Sequence, residues 1–149
     1  MNVRALPPKP VADRDTQAFW DAVAEHRLVV QRCASCSTWV WQPRPICPRC
    51  HGTELVWNEV TGSGRVVSWT ALHPPVLPVW ADKLPFVILL IELDDAPAVR
   101  MIGQLVDDAG HLLQTNGEPE GIRMGSPVAL RWREDEAGQT LPAWSLVAD

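Results

Sequence analysis

Cys33-Ala34-Ser35-Cys36 and Cys47-Pro48-Arg49-Cys50, separated by Ser37 to Ile46, are the residues on which the reading of this chain turns. In a Cys-x-x-Cys pair the tight turn carries both sulfurs to one side. Two such pairs a short hairpin apart present four thiolates tetrahedrally to one ion, at about 2.3 Å for Zn²⁺. The intervening residues run out and back as two short strands bearing Trp39 and Trp41. Four sulfur ligands leave no open position for water, so the expected cofactor is one structural Zn²⁺ per chain on Cys33, Cys36, Cys47 and Cys50. Iron suits the same S₄ geometry, and free thiols or two disulfides are the non-metal alternatives. His51, directly after the last cysteine, is expected to be a surface residue because four cysteines already complete the set.

Upstream of the ribbon, Leu6 to Val11 is spaced by prolines and reads as an extended arm. Asp13-Arg14-Asp15-Thr16 offers acidic caps for a short helix, on which Phe19, Trp20 and Val23 fall on one face. That stripe packs on its own domain or docks a partner. Leu28-Val29-Val30-Gln31 delivers the chain to the first cysteine as a strand, and Leu55-Val56-Trp57 closes the ribbon.

Gly62-Ser63-Gly64 breaks the pattern, giving expected units of 1–27 (arm and helix), 28–61 (zinc ribbon) and 62–149. The last unit holds β-type runs at Arg65–Leu72, Phe86–Leu93, Val99–Val106 and Pro127–Arg133, with a final strand near Trp144–Val147. Turn-rich stretches such as Asp94-Asp95-Ala96-Pro97 and Asp107-Asp108-Ala109-Gly110 separate them. The expected fold is mainly β: a short N-terminal helix, a zinc ribbon and a C-terminal OB-fold barrel. Strand number alone leaves an SH3-like barrel open.

With a formal net charge of −5 and no long Lys/Arg run, the chain lacks the basic surface that supplies generic affinity for nucleic-acid phosphates. The first ten residues carry no signal-like apolar core, and the longest apolar run, Phe86 to Ile91, is far too short to span a bilayer. A soluble cytoplasmic protein with no membrane contact is the expectation. In that reducing compartment paired cysteines hold metal more often than disulfides.

The zinc ribbon with Pro43-Arg44-Pro45 before its second knuckle, then Ser63-Gly64-Arg65-Val66-Val67-Ser68-Trp69-Thr70, resembles a known family. It is similar to OB-fold acyl-CoA-associated proteins with an N-terminal rubredoxin-like zinc ribbon. Pro85 to Asp95 and Met124-Gly125-Ser126-Pro127-Val128 extend the resemblance over nearly the whole chain. Ser37 departs from it, since the first knuckle of such ribbons carries Gly to allow a positive φ. The resemblance implies a non-catalytic small subunit in a hetero-oligomer with a thiolase-superfamily, lipid-transfer-type partner. Such complexes act as aldolases (lyases) or acyltransferases on acyl-CoA, including retro-aldol cleavage of steroid side-chain acyl-CoA thioesters. Other members pair with hotdog-fold enoyl-CoA hydratases.

Read from the residues alone, His26, His51, His73 and His111 are scattered and none sits in a nucleophile motif, so no catalytic residue is assigned. His73, in Ala71-Leu72-His73-Pro74-Pro75 at a barrel mouth, is the first candidate to test. The competing class is a single-stranded nucleic-acid binder that stacks bases on Trp69 and Trp132. Arg44, Arg49 and Arg65 are the residues either class would use for phosphate contacts. Eight Trp beside no Tyr and two Phe is a surplus of indole suited to anchoring an interface.

Overall fold

The structure, a computed structural model, describes residues 6–118 and 121–148. Of the proline-spaced arm, Pro7 is buried while Val11 is 89% exposed. The helix α1 (Gln17–Ala24) starts from a reciprocal hydrogen-bonded box. Asp13 Oδ1 accepts the Thr16 N–H at 2.9 Å and the Thr16 hydroxyl at 2.7 Å, and Thr16 Oγ1 accepts the Asp13 N–H at 3.0 Å. Two otherwise orphaned N–H groups are thereby satisfied. The Thr16 hydroxyl and N–H hold the Asp13 carboxyl below the usual carboxylate range.

At its other end α1 stops in a Schellman turn. His26 (φ 58°) donates its N–H to Val23 O, and Arg27 donates to Ala22 O. A histidine takes the left-handed position that usually falls to glycine, and its ring lies flat on Trp132 at 5.4 Å and 9°. The helix end is thus fixed to the barrel by a stacked pair.

Three short antiparallel strands follow: β1 (Leu28–Cys33), β2 (Trp39–Val40) and β3 (Leu55–Val60), in the order β2-β1-β3. The second sheet is β4 (Gly64–Leu72), β5 (Phe86–Leu93), β6 (Arg100–Gln104), β7 (Pro127–Glu134) and β8 (Thr140–Leu146), in the order β6-β5-β4-β7-β8. A 3₁₀ turn, Pro78–Lys83, lies between β4 and β5. β4 carries a bulge between Val66 and Ser68, which bends the strand as barrel closure requires. A parallel bridge, Leu105 to Trp144, joins the residue after β6 to β8. The first barrel strand lies between the second and fourth, and the third meets the fifth in parallel. That connectivity is the OB arrangement and removes the SH3-like alternative.

Strand alternation builds the interior. Val87, Leu89, Ile91 and Leu93 of β5 are buried on one face, and Trp144 is fully enclosed. Gly103 has no side chain where a Cβ would overlap the Trp144 ring. The indole N–H of Trp144 donates to Gly62 O at 2.9 Å. Gly62 itself (φ 77°) sits in the Thr61–Ser63 turn between the two sheets, where a Cβ would strike Leu130. One apolar cluster takes Phe19, Ala22 and Val23 from α1, Leu28, Val29 and Val30 from β1, Val60 from β3, and Leu89, Ile91 and Trp144 from the barrel. Each of the larger aliphatic side chains and Phe19 contributes about 1.5–3 kcal/mol on burial, and Ala22 less.

Trp144→Phe should lower the urea midpoint at unchanged slope, by about 1–3 kcal/mol, because it strands a buried carbonyl and opens a gap beside Gly103. A midpoint equal to that of the parent would show that the indole does not join the two sheets.

Candidate metal centre

The two Cys-x-x-Cys segments fold as near copies of one turn. Ser37 N–H donates to Cys33 O at 2.9 Å, and His51 N–H donates to Cys47 O at 3.0 Å. Ser37 has φ 59° and His51 has φ 61°, so each knuckle ends in a left-handed residue without being glycine. His51 is exposed and serves as this turn residue, outside the sulfur cluster. Gly52 passes close against the second knuckle, and a Cβ there would lie 3.3 Å from Cys50 Sγ.

The turns bring Cys33, Cys36, Cys47 and Cys50 together with all four sulfurs within 4.8 Å of one another. Cys33 Sγ and Cys50 Sγ are 3.5 Å apart, and Cys36 Sγ and Cys47 Sγ are 3.6 Å apart. Disulfide sulfurs would be about 2.05 Å apart, so these four are free thiols. Four sulfurs around an ion at about 2.3 Å sit about 3.8 Å apart, so the donor set fits a tetrahedral S₄ site.

The thiols do not titrate alike. The Thr38 hydroxyl and N–H favour the Cys36 thiolate and bring it down to about 6. Cys33 is also lowered, first by the Cys36 N–H. At Cys50 the Gly52 N–H favours the thiolate, but the Cys36 and Cys33 sulfurs outweigh it and push the group up to about 12. Crowded sulfurs resist collecting four negative charges, and a divalent cation at their centre removes that resistance. The local core here is small: Cys33, Val40 and Cys47 are buried, with Cys36 and Leu55 against them.

The remaining candidates do not converge. His26 stacks on Trp132, His111 pairs with Asp107 at 3.1 Å, and His73 lies exposed on the loop after β4. Among the described residues the four cysteines are the one His/Cys/Asp/Glu cluster suited to a metal. Arg65 is engaged by Asp94 and by Gly125 O, and the Arg44 guanidinium by Gln42 O. Arg49 is exposed beside the metal knuckle. Trp69 is 39% exposed on β4, whereas Trp132 is covered by His26, so the pair forms no open stacking platform.

The arrangement also contains a feature that sequence reasoning missed. Phe19, Trp20, Trp41, Trp80 and Trp144 line one cleft of about 540 Å³ between α1, the Trp41–Pro43 loop, the 3₁₀ turn and the seam where β6 faces β8. The tryptophan surplus was its sequence signal, but those positions are spread over most of the chain.

The ribbon and five-strand barrel define a two-part protein: a four-cysteine ribbon carried on an OB fold. Residues 20–56 match the family described as "ChsH2, rubredoxin-like zinc ribbon domain", and residues 57–133 match "ChsH2, C-terminal OB-fold domain". The chain belongs to this ChsH2 family.

It is 36% identical over 95% of its length to a probable enoyl-CoA hydratase alpha subunit of Thermomonospora curvata. It is 31% identical over 94% of its length to the 3-oxo-4,17-pregnadiene-20-carboxyl-CoA hydratase alpha subunit of Mycobacterium tuberculosis. The chain spans only 40% and 39% of those two proteins. A DUF35 domain-containing scaffold protein of Methanocaldococcus jannaschii is 35% identical over 81% of this chain and 79% of its own. Among solved structures, a chain of an "Ltp2-ChsH2(DUF35) aldolase" superposes with a TM-score of 0.77 at 33% identity, covering 94% of this chain and 100% of that one.

Ser37→Gly should stabilise the first knuckle by about 1 kcal/mol, because glycine holds positive φ without the Cβ penalty. Ser37→Val should destabilise it by at least as much. The rate of metal release to a chelator reads both, and equal rates for the two variants would refute the strained-knuckle account.

Proposed function

We propose that this chain is a non-catalytic accessory subunit that holds one structural Zn²⁺ and supports a thiolase-like partner acting on acyl-CoA thioesters. The observation that carries this reading is the likeness, over 94% of this chain and the whole of the other, to a chain of the Ltp2-ChsH2(DUF35) aldolase. The scaffold description of the archaeal relative agrees with it.

Cys33, Cys36, Cys47 and Cys50 are the proposed ligands. The closed S₄ set leaves no position for water or substrate, so the ion supplies a cross-link and no chemistry. Nucleophile and acid/base groups belong to the partner, in keeping with the dispersal of the four histidines. The pregnadiene-carboxyl-CoA named for the mycobacterial relative points to a steroid side-chain thioester as the substrate class, and the aldolase to retro-aldol cleavage as the reaction. A second reading, support of a hotdog-fold enoyl-CoA hydratase, draws on the names of the two hydratase alpha subunits. The reading includes a cytoplasmic hetero-oligomer; no helix among the described residues is long and apolar enough to cross a membrane.

Metal analysis of the purified chain should return close to one zinc per chain, since small structural zinc modules bind with roughly 10–16 kcal/mol. Iron, or a folded metal-free sample, would overturn the assignment.

Reconstitution tests the subunit role. A thiolase-like partner should form a complex with an interface of roughly 2,000 Å² or more. It should lose at least about tenfold in turnover of a polycyclic acyl-CoA when this chain is left out, a barrier difference of about 1.4 kcal/mol. Equal turnover with and without the chain, or turnover by the chain alone, would refute the proposal.

A further inference from the structure

The cleft of about 540 Å³ lies within the roughly 300–1,000 Å³ that accommodates a drug-sized ligand. Phe19, Met101 and Trp144 on its walls belong to the main apolar cluster, and Trp20 and Trp41 pack against it. Trp20 and Phe19 meet edge to face at 5.1 Å, and Phe19 meets Trp41 at 5.1 Å, so these rings support one another. Trp80 of the 3₁₀ turn leans on Phe86 at 5.7 Å. The floor is the seam where Met101–Gln104 of β6 faces Leu141, Pro142 and Trp144 of β8.

The polar groups of the cleft decide what it accepts. Among the described residues no Lys, Arg or His lines it, and Lys83, whose Nζ lies 5.0 Å from the Trp80 ring centroid, is paired with Glu136 at 3.1 Å, so these residues offer no free counter-charge for a phosphate or a carboxylate. The one ionisable group on the lining among the described residues, Asp13, has its carboxylate engaged by the Asp15 N–H, the Thr16 N–H and the Thr16 hydroxyl. Gln42 and Gln104 differ from it. Both reach the cleft, and among the described residues neither side-chain amide has a protein partner. Each is a neutral donor and acceptor suited to a ketone or hydroxyl oxygen. Ile102, also on the lining, is 70% exposed, an apolar side chain in contact with water in the absence of a ligand.

We infer that this cleft binds the neutral ring system of a large polycyclic acyl group. Flat faces of Trp20, Trp41 and Trp80 receive the hydrocarbon, and Gln42 and Gln104 hydrogen-bond a ring oxygen. The phosphate-bearing half of a CoA thioester lies outside it, since no basic residue is on its lining among the described residues. The inference rests on the proposed function for its substrate class and adds a site on this chain.

The test uses the zinc-loaded full chain and progesterone, a neutral four-ring ketone. Indole N–H signals in ¹H–¹⁵N spectra should shift saturably for Trp20, Trp41 and Trp80 and stay still for Trp57 and Trp69, which lie off the lining. Free CoA should move none of the cleft indoles. Ile102→Glu should weaken binding by at least about tenfold, and Val56→Glu, an exposed change on β3 outside the cleft, should not. Unmoved cleft indoles at the solubility limit of the probe, or shifts spread over all eight, would overturn the inference without recourse to a variant. Partner turnover separates the two proposals. If it depends on this chain while the cleft indoles stay still, the cleft site is wrong and the subunit role stands; the converse pattern leaves the site and removes the role.

Discussion

Trp144 is the point through which the parts of this molecule are joined. Its indole N–H is bonded to Gly62 in the turn linking ribbon to barrel, and its ring fills the space that Gly103 leaves on β6. Its carbonyl accepts the Val106 N–H as the chain leaves β6 and approaches β8. One side chain therefore helps close the barrel, holds the inter-sheet turn and forms part of the cleft floor. A phenylalanine would fill most of the volume but could not satisfy a buried carbonyl, which is why an indole suits this position.

The ribbon has two ends with different sources of stability. Its root, Leu28 to Val30 with Val60, lies in the same apolar cluster as the barrel interior. Its tip has Val40 and Leu55 beside the cysteines, too little apolar surface to offset the entropy of ordering two loops. A cross-link is the usual remedy for so small a core, and four converging thiols supply the means. The same crowding pushes Cys50 up to about 12, and the four-sulfur donor set fits a cation at its centre.

Much of this was legible in the sequence wherever the determinants are local. The two cysteine pairs specify their knuckles over four residues each, and the β-branched run Phe86–Leu93 marks a strand whose observed bounds are the same. The anomaly noted at Ser37 has a counterpart at His51, and both take the left-handed conformation. What could not be read was set by long-range pairing. Whether five strands close as an OB or an SH3-like barrel depends on β4 meeting β7 and on the parallel bridge at Trp144, contacts no local pattern encodes. The stacking of His26 on Trp132 likewise joins residues about a hundred positions apart and removes one half of the base-stacking pair that the competing nucleic-acid reading needs. The cleft was illegible for the same reason, since its tryptophans come from α1, the ribbon loop, the 3₁₀ turn and β8.

The cysteine tip and the cleft are neighbours in sequence and share a wall. Val40 is buried beside Cys33 and Cys47, and the next residue, Trp41, packs on Phe19 and lines the cleft. Arg44, three residues on, donates its N–H to the buried Gln31 side chain of β1 at 2.9 Å and so fixes the far end of the same loop. The Trp41–Pro43 wall is thus suspended between an anchor at the sulfur cluster and an anchor on β1. Without a cross-link at the cysteines the wall would keep its pairing of Val40 with Gln31 on β1 and the packing of Trp39 and Trp41 on the main core, and would lose its support on the sulfur side. An ion held by the four cysteines would in this way help determine the shape of a surface some residues away, because packed side chains transmit displacement where solvent would absorb it.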